Sequence, residues 1–255
     1  MQKLAIITGG SSGIGRHLVR SFSGAGYAVA FNHMRDGDAA GQVVADIEAA
    51  GGRALALESD VSIEAEVMKF YAAVGEWFGA GPDVLINNAG IQTWSSLLDL
   101  SENDWDNVIK TNLKGCFLHT KHAAKAMIAS EKAGYIVNLG SGCNKLAFPK
   151  LVDYTASKGG IEQFTKASAG ELGPYGINVN CVAPGAILTE RTLIEAPDYD
   201  KIWSEITPLR RVGTPEDIAG PVLFLCSQAA SFISGQTIGI DGGVFSQAAW
   251  PHEAY

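Results

Sequence analysis

Residues 3–15 read KLAIITGGSSGIG, a short apolar run that leads directly into a glycine-rich turn, and a segment of helical character follows over 16–25. Gly9 permits a tight turn, and the later glycines let backbone N–H groups and a helix N-terminus approach a pyrophosphate. The spacing is not G-x-G-x-x-G, and a plain strand-to-helix turn is the alternative. The placement favours a dinucleotide cradle, which would consist of Gly9, Ser11, Ser12, Gly13, Ile14 and Gly15.

Short apolar and β-branched runs alternate with longer segments of helical period along the whole chain. Seven runs are predicted as strands: 3–8, 27–32, 53–58, 83–87, 135–140, 177–183 and 236–240. Strands that alternate with helices form a parallel sheet covered on both faces. We therefore expect an α/β protein: a single Rossmann-type, doubly wound domain over 1–255 with a seven-stranded parallel sheet flanked by helices. A non-periodic stretch at about 185–213 is expected to be a substrate lid, and 244–255 a C-terminal tail.

Composition excludes several classes of protein. The 255 residues carry a net charge of -8, which argues against a nucleic-acid partner because such binding relies on clustered Lys and Arg. No apolar run approaches the roughly 18 residues of a membrane span, and the N-terminus lacks a signal-peptide core. The four cysteines are widely spaced, and His119 and His122 have no companion ligand at a metal spacing. The sequence predicts a cytoplasmic protein without a metal or a membrane partner.

Four motifs occur in order: T-G-x-x-x-G-I-G at 8–15, N-N-A-G at 87–90, a serine thirteen residues before Y-x-x-x-K at 141–158, and P-G-A-I-L-T at 184–189. As a set they resemble the classical short-chain dehydrogenase/reductases over 3–243, loosely the glucose 1-dehydrogenase and 3-oxoacyl reductase branches. The resemblance implies an NAD(P)-dependent oxidoreductase acting on a secondary alcohol or carbonyl. It also implies the catalytic residues Asn112, Ser141, Tyr154 and Lys158.

This group suits the chemistry of hydride transfer. Oxidation of an alcohol requires a base for the hydroxyl proton, and tyrosine serves at neutral pH only where positive charge favours its phenolate. Tyr154 and Lys158 are four residues apart in a helical stretch and so share one face. By resemblance Lys158 also binds the nicotinamide ribose, Ser141 holds the substrate oxygen, and Asn112 supports a proton-relaying water. Alternatively, Ser141 ends a strand in a turn and Asn112 is a solvated or back-bonded helix residue.

The choice between NADP and NAD depends on the end of the second strand. An acidic residue there would bind the ribose 2′-hydroxyl, but the place holds Asn32, and Arg35 could accommodate a 2′-phosphate. The sequence favours NADP, whereas a strand end shifted towards Asp36 or Asp38 would favour NAD. Further cofactor contacts implied by the resemblance are Asp60, Val61, Asn88, Ala89, Gly90, Tyr154, Lys158, Pro184, Gly185, Ile187 and Thr189.

The substrate is the least determined feature. The pocket should be formed by residues 142–148, by the residues just before Tyr154 and by the lid. An aldose oxidised at its anomeric carbon is the first candidate, with Ser141, Asn144, Lys150, Tyr154 and Arg191 as substrate-binding residues. Lys145, Lys150 and Arg191 suggest an anionic sugar, unless they are simply solvated. A 3-oxoacyl thioester or other ketone is the alternative substrate, and a non-catalytic dinucleotide sensor the alternative of another class.

Assembly is also implied by the resemblance, because members of the family are commonly homotetramers. The tail carries Phe245, Trp250 and Tyr255, which are many aromatics for a solvated segment. We expect the tail to dock on a neighbouring subunit.

Overall fold

A computed structural model describes residues 2–247, so Trp250 and Tyr255 of the expected tail lie outside the described residues. Each predicted strand is present, and all seven pair in parallel in one sheet with the order β3-β2-β1-β4-β5-β6-β7. The strands are β1 (Leu4–Ile7), β2 (Ala28–His33), β3 (Ala54–Glu58), β4 (Val84–Asn87), β5 (Gly134–Leu139), β6 (Ile177–Pro184) and β7 (Thr237–Ile240). The predicted Rossmann-type α/β fold is confirmed.

Helices cover both faces of the sheet because every central strand is apolar on both sides. They are α1 (Gly13–Gly24), α2 (Gly37–Ala49), α3 (Glu64–Phe78), α4 (Glu102–Val108), α5 (Gly115–Ala129), α6 (Val152–Leu172), α7 (Glu190–Glu195), α8 (Tyr199–Ile206) and α9 (Pro215–Leu225). One core joins Ala5 and Ile7 to apolar side chains of α1, α2 and α9. The other joins Leu4 and Ile6 to α3 and α5. Alternate residues of one strand thus anchor opposite helical layers.

The strand order reverses at the centre of the sheet. The chain runs outward from β1 to β3 and then returns to place β4 on the other side of β1. Such a reversal opens a crevice between the loops that follow the two strands, at the carboxyl edge of the sheet. The glycine-rich turn follows β1 and the N-N-A-G motif ends β4, so both predicted cofactor segments border this crevice.

Three local features differ from the sequence-based expectation. β2 continues through His33, one residue beyond its predicted end. The expected lid is not a plain loop, because it contains α7 and α8. The helical stretch that contains Asn112 is interrupted by a π-helical turn, Ile109–Lys114. Throughout residues 2–247, every helix is too short or too polar to cross a bilayer.

Candidate active site

The glycine-rich turn has the geometry of an anion cradle. Gly9 has a φ of 66°, a backbone conformation that side chains disfavour, and a Cβ on Gly15 would collide with the Gly9 carbonyl oxygen. The N-cap of α1, Ser12, makes no side-chain cap bond, and the first turn of this helix has no acidic residue. The N-terminus of α1, which is the positive end of its helix dipole, faces the crevice. The turn fits the pyrophosphate of a dinucleotide.

The two sides of the crevice are joined by hydrogen bonds of Thr8 and Asn88. The Thr8 hydroxyl accepts the N–H groups of Asn88 and Ala89, both at 2.9 Å. The Asn88 amide donates to the carbonyl oxygens of Thr8 at 2.9 Å and Gly9 at 3.1 Å. The glycine turn is thereby fixed to the end of β4, which makes the cradle rigid before any ligand binds.

The Asn32 side chain holds the glycine-rich turn in place and is not directed at an adenosine ribose. Its Oδ1 accepts the Gly9 N–H at 2.9 Å, and its Nδ2 donates to the Ser59 carbonyl oxygen at 2.7 Å. The residue is 3% exposed, and both polar atoms of its amide are hydrogen-bonded within the protein. The predicted ribose contact of Asn32 is corrected accordingly. The strand continues to His33, and the first exposed side chains are Met34 and Arg35.

A large open cleft of about 970 Å³ extends from the cradle over the ends of β2 and β3. Most of the predicted cofactor residues line it: Gly9, Ser11, Ser12, Gly13, Ile14, Gly15, Asn32, Arg35, Asp60, Val61, Asn88, Ala89, Gly90 and Thr189. Arg35 is exposed there, and among the described residues it forms no ion pair. We call this cavity the cofactor cleft.

The predicted catalytic residues converge at the ends of β5 and α6. Tyr154 and Lys158 occupy successive turns of α6, and the Lys158 Nζ lies 5.4 Å from the centre of the Tyr154 ring. The Nζ donates to the Leu139 carbonyl oxygen at 2.6 Å. Ser141 Oγ accepts the Cys143 N–H at 3.2 Å, which leaves its own proton free to donate. A cation, a phenol and a hydroxyl donor are thus assembled in one place.

Asn112 lies on the π-helical turn and is 1% exposed, so the solvated alternative is wrong. Its Oδ1 accepts the Ile91 N–H at 2.8 Å, while its Nδ2 donates to the Ile91 carbonyl oxygen at 2.9 Å and to Ser157 Oγ at 3.0 Å. The side chain therefore positions the loop after β4 against α6. Its expected water relay to Lys158 stays a prediction. A π turn widens a helix and recurs at functional sites.

The thiols near Lys158 do not neutralise its charge. Burial raises the pKa of Cys116 to about 12 and also raises the pKa values of Cys143 and Cys181, although Lys158 acts in the opposite direction on all three. Burial thus outweighs the ammonium, and the thiols stay protonated at neutral pH. The thiols therefore place no negative charge beside Lys158.

A second cavity of about 320 Å³, the substrate pocket, opens above Ser141, Tyr154 and Lys158. The predicted cofactor residues Pro184, Gly185 and Ile187 also line it. Its apolar wall includes four residues from the segments that were predicted to form the pocket: Phe148, Leu151, Tyr199 and Trp203. Ile91, Trp94 and Phe245 complete the wall and come from outside those segments. Aromatic residues within the lid were the available signal for Tyr199 and Trp203. Burial, aided by the negative charge of Glu195, raises the pKa of Tyr199 to about 12, so its hydroxyl stays protonated.

Two expected substrate contacts are absent from this wall. Asn144 Oδ1 accepts the Ser141 N–H at 3.0 Å and its Nδ2 contacts Cys181 Sγ at 3.6 Å, so this amide supports the Ser141 turn instead. Lys150 has a φ of 62° and its side chain is exposed outside the pocket, as is that of Lys145. Asn144 and Lys150 therefore lie outside the pocket wall, and their substrate contacts stay predictions. Arg191 does line the pocket, but its Nε donates to Glu195 at 2.6 Å.

The start of the C-terminal tail folds back on its own chain. The Phe245 ring packs edge-to-face on Phe148 at 5.5 Å between centroids, and a Cβ on Gly142 would collide with Phe245. Phe245 therefore lines the pocket of its own subunit, in contrast to the expected docking on a neighbour. The expectation for residues 248–255 of the tail concerns residues outside the described range.

Comparison with known proteins gives consistent matches. The family described as "Enoyl-(Acyl carrier protein) reductase" matches residues 9–245. A 3-oxoacyl-[acyl-carrier-protein] reductase of Staphylococcus epidermidis is 39% identical over 96% of this chain and 100% of its own. A short-chain dehydrogenase/reductase of Armillaria gallica is 38% identical over 95% of each chain. The crystal structure of a putative gluconate dehydrogenase from Agrobacterium tumefaciens has a TM-score of 0.90 at 36% identity, covering 96% of this chain and 97% of its own.

Proposed function

Because the chain belongs to the short-chain dehydrogenase/reductase family and is an NAD(P)-dependent oxidoreductase of alcohols and carbonyl compounds, we propose that its substrates are uncharged ketones or secondary alcohols with an apolar body. The observation that carries this proposal is the wall of the substrate pocket. The hydroxyls of Ser141 and Tyr154 face a cavity bounded mainly by aromatic and aliphatic side chains. Apolar walls with few convergent polar groups favour an apolar ligand oriented at one oxygen.

The proposed mechanism assigns one task to each polar group. Ser141 donates its free proton to the substrate oxygen and orients the carbonyl. Tyr154 gives its proton to that oxygen in reduction and accepts it in oxidation. Lys158 supplies the positive charge that favours the phenolate. The bound nicotinamide supplies or accepts the hydride.

For the cofactor we propose a preference for NADP over NAD. Arg35 supports this preference because its guanidinium is exposed in the cofactor cleft and has five donors for a 2′-phosphate. Asp36 lines the same cleft and would favour the 2′-hydroxyl of NAD. Arg35 is the residue nearer to the end of β2, and we take it as the determinant.

Two other substrates have specific support. A 3-oxoacyl thioester is favoured by the name of the Staphylococcus epidermidis relative and carries a ketone on an apolar chain. A sugar or sugar acid is favoured by the name of the Agrobacterium tumefaciens protein. The sugar has less support from the pocket, since Asn144 and Lys150 lie away from it.

The test is a substrate panel assayed with NADPH and NADH in the reducing direction, and with NADP and NAD in the oxidising direction. The panel holds alkyl and aryl ketones, 3-oxoacyl thioesters, aldoses and sugar acids. We expect kcat/KM for the best apolar ketone to exceed that for any aldose by about tenfold or more. An aldose or sugar acid as the best substrate would refute the proposal, and preference for a thioester would select the second candidate.

The variant Trp203→Ala sharpens this test, because it removes apolar wall without touching Ser141 or Tyr154. A lost tryptophan contact of about 60 Å² is worth roughly 1.5 kcal/mol, or about tenfold in kcat/KM. We expect this loss for a bulky ketone and a much smaller one for acetone, which is too short to reach the wall. Equal losses for both ketones would contradict an apolar binding role.

We also propose a cytoplasmic homotetramer. The four cysteines are free and buried, as a reducing compartment permits. Light scattering on the purified protein measures the assembly directly, and a monomer would refute it.

A further inference from the structure

Glu195, the last residue of α7, is bonded through both carboxylate oxygens. Oε1 accepts the Arg191 Nε–H at 2.6 Å. Oε2 accepts the Gln92 Nε2 at 3.1 Å and the Trp94 Nε1 at 3.4 Å. The donors come from α7 itself and from the loop after β4. Three donors on one carboxylate fix its position, and the charged donor makes the strongest of these bonds.

This cluster lies at the edge that both cavities share. Arg191 and Glu195 line the substrate pocket and also the cofactor cleft. Of the residues that the structure describes, the charged ones that line the substrate pocket are Lys158, Arg191 and Glu195. Lys158 is 4% exposed and lies beside Tyr154. Arg191 is therefore the accessible cation with which an anionic substrate could pair.

The negative charge of the Glu195 carboxylate offsets the positive charge of the Arg191 guanidinium. An incoming anion that approached Arg191 would meet the Glu195 carboxylate at short range and be repelled by it. The two side chains are 50% and 30% exposed, so water and salt weaken this barrier but do not remove it. The influence of Glu195 on Tyr199, described above, indicates that its charge is felt inside the pocket. The other acidic residue of α7, Glu190, contacts Arg16 of α1.

We infer that Glu195 is a specificity-determining residue: by occupying Arg191, it makes the substrate pocket reject anionic carbonyl compounds in favour of uncharged ones. This inference rests on the proposed function, because it explains why the pocket would take uncharged ketones. A carboxylate that only held α7 against the loop after β4 would have no preference for the charge of the substrate. The two roles therefore differ in a measurable quantity.

The experiment compares a 3-oxo acid with its ethyl ester, which share one ketone and differ in charge. The measured quantity is the ratio of kcat/KM for the acid to kcat/KM for the ester. Glu195→Gln keeps a side chain of the same shape but removes the charge and frees Arg191. We expect the ratio to rise about tenfold or more, and to fall back at high ionic strength. An unchanged ratio in Glu195→Gln would overturn the inference.

Two further variants separate electrostatics from structure. Glu205→Gln is the matched control, since Glu205 is an exposed carboxylate of the neighbouring helix α8 that lines neither cavity. It should leave the ratio unchanged. Adding Arg191→Gln to Glu195→Gln should abolish the gain, because the freed cation is lost. A gain that persists in this double variant, or that appears equally in Glu205→Gln, would also overturn the inference.

Failure of the proposed function would be seen separately. If the wild-type enzyme reduces neither ketone but oxidises sugars, that function is refuted, and the same ratio is then measured for glucuronate against glucose, which share the anomeric carbon and differ in charge. Calorimetric titration of the 3-oxo acid and its ester into the enzyme with bound NADP, which cannot reduce a ketone, gives a readout that needs no turnover. Glu195→Gln should tighten the binding of the acid relative to the ester by about tenfold. Equal affinities in both proteins would contradict the role of Glu195.

Discussion

Tyr154 and Tyr199 both line the substrate pocket, but Lys158 stands beside Tyr154, and burial keeps the Tyr199 hydroxyl protonated. We expect Tyr154→Phe to lower kcat by about 10²- to 10⁴-fold, because the ring still packs but can no longer exchange a proton. NADPH affinity, measured by fluorescence titration, should be retained. Tyr199→Phe is the control and should cost less than tenfold. Comparable losses in the two variants would remove Tyr154 from its catalytic role.

Arg35 gives a second prediction at a single side chain. Arg35→Ala removes the donors proposed for the 2′-phosphate, so kcat/KM with NADPH should fall about tenfold or more while that with NADH changes little. Arg20→Ala removes a cation of α1 that pairs with Asp46 and lies outside the cofactor cleft. It should leave the ratio of the two cofactors unchanged. A ratio unmoved in Arg35→Ala would point to Asp36 and to NAD.

The sequence predicted which chemical groups the site contains better than it predicted the hydrogen-bond partners of those groups. The resemblance to the family indicated Ser141, Tyr154 and Lys158, and the structure brings them together. Asn32 lies near the end of β2 and Asn144 lies in the turn after β5, as expected. Both side chains, however, form hydrogen bonds within the protein. The Ser59 partner of Asn32 is distant in sequence, so nothing local could reveal that hydrogen bond, whereas Asn144 bonds the Ser141 N–H only three residues away.

Helix α5 carries a buried histidine with consequences for stability. His119 is fully buried beside Phe70 and Tyr71, its ring nitrogens lack partners among the described residues, and burial lowers its pKa from 6.5 to about 3. The folded state thus binds the proton more weakly than the unfolded state. The part of the folding free energy that depends on neutral His119 is fully present above pH 6.5. It is lost by up to about 1.4 kcal/mol per pH unit as the pH falls from 6.5 towards 3.

The variant His119→Phe should remove this part of the acid sensitivity, since phenylalanine keeps an aromatic ring in the cluster without a titrating group. The difference between the urea midpoints at pH 7 and pH 5 should therefore shrink. His17→Gln, which changes a surface histidine of α1 that contacts Glu216, is the control and should retain the difference. An undiminished difference in His119→Phe would place the acid sensitivity elsewhere.

Secondary structure was predictable where the pattern was strong and local. All seven strands occur where short β-branched runs lie between helical segments. The end of β2 was missed by one residue, because Asn32 and His33 are both polar and yet both buried. The π-helical turn at 109–114 leaves the amphipathic pattern almost unaltered, so a continuous helix was the natural prediction. The apolar residues of the lid gave no period long enough to reveal α7 and α8.

The whole chain should respond to the cofactor as one unit, because the cradle residues connect β1, β4 and α1. At a concentration one hundred times its Kd, the preferred cofactor should stabilise the folded state by about 2.7 kcal/mol. For a protein of this size we expect a rise in Tm of roughly 5–10 °C. At equal concentration NADPH should raise the Tm more than NADH, and Arg35→Ala should abolish the difference. A larger shift with NADH in the wild-type protein would reverse the proposed preference.

Seven residues line both the cofactor cleft and the substrate pocket: Ile14, Asn88, Gly90, Ile91, Thr189, Arg191 and Glu195. A ketone that entered first would obstruct the opening between the two cavities. Catalysis should therefore follow a compulsory order, in which the dinucleotide is the first to arrive and the last to depart. A non-reacting ketone analogue should then inhibit uncompetitively against the dinucleotide and competitively against the ketone.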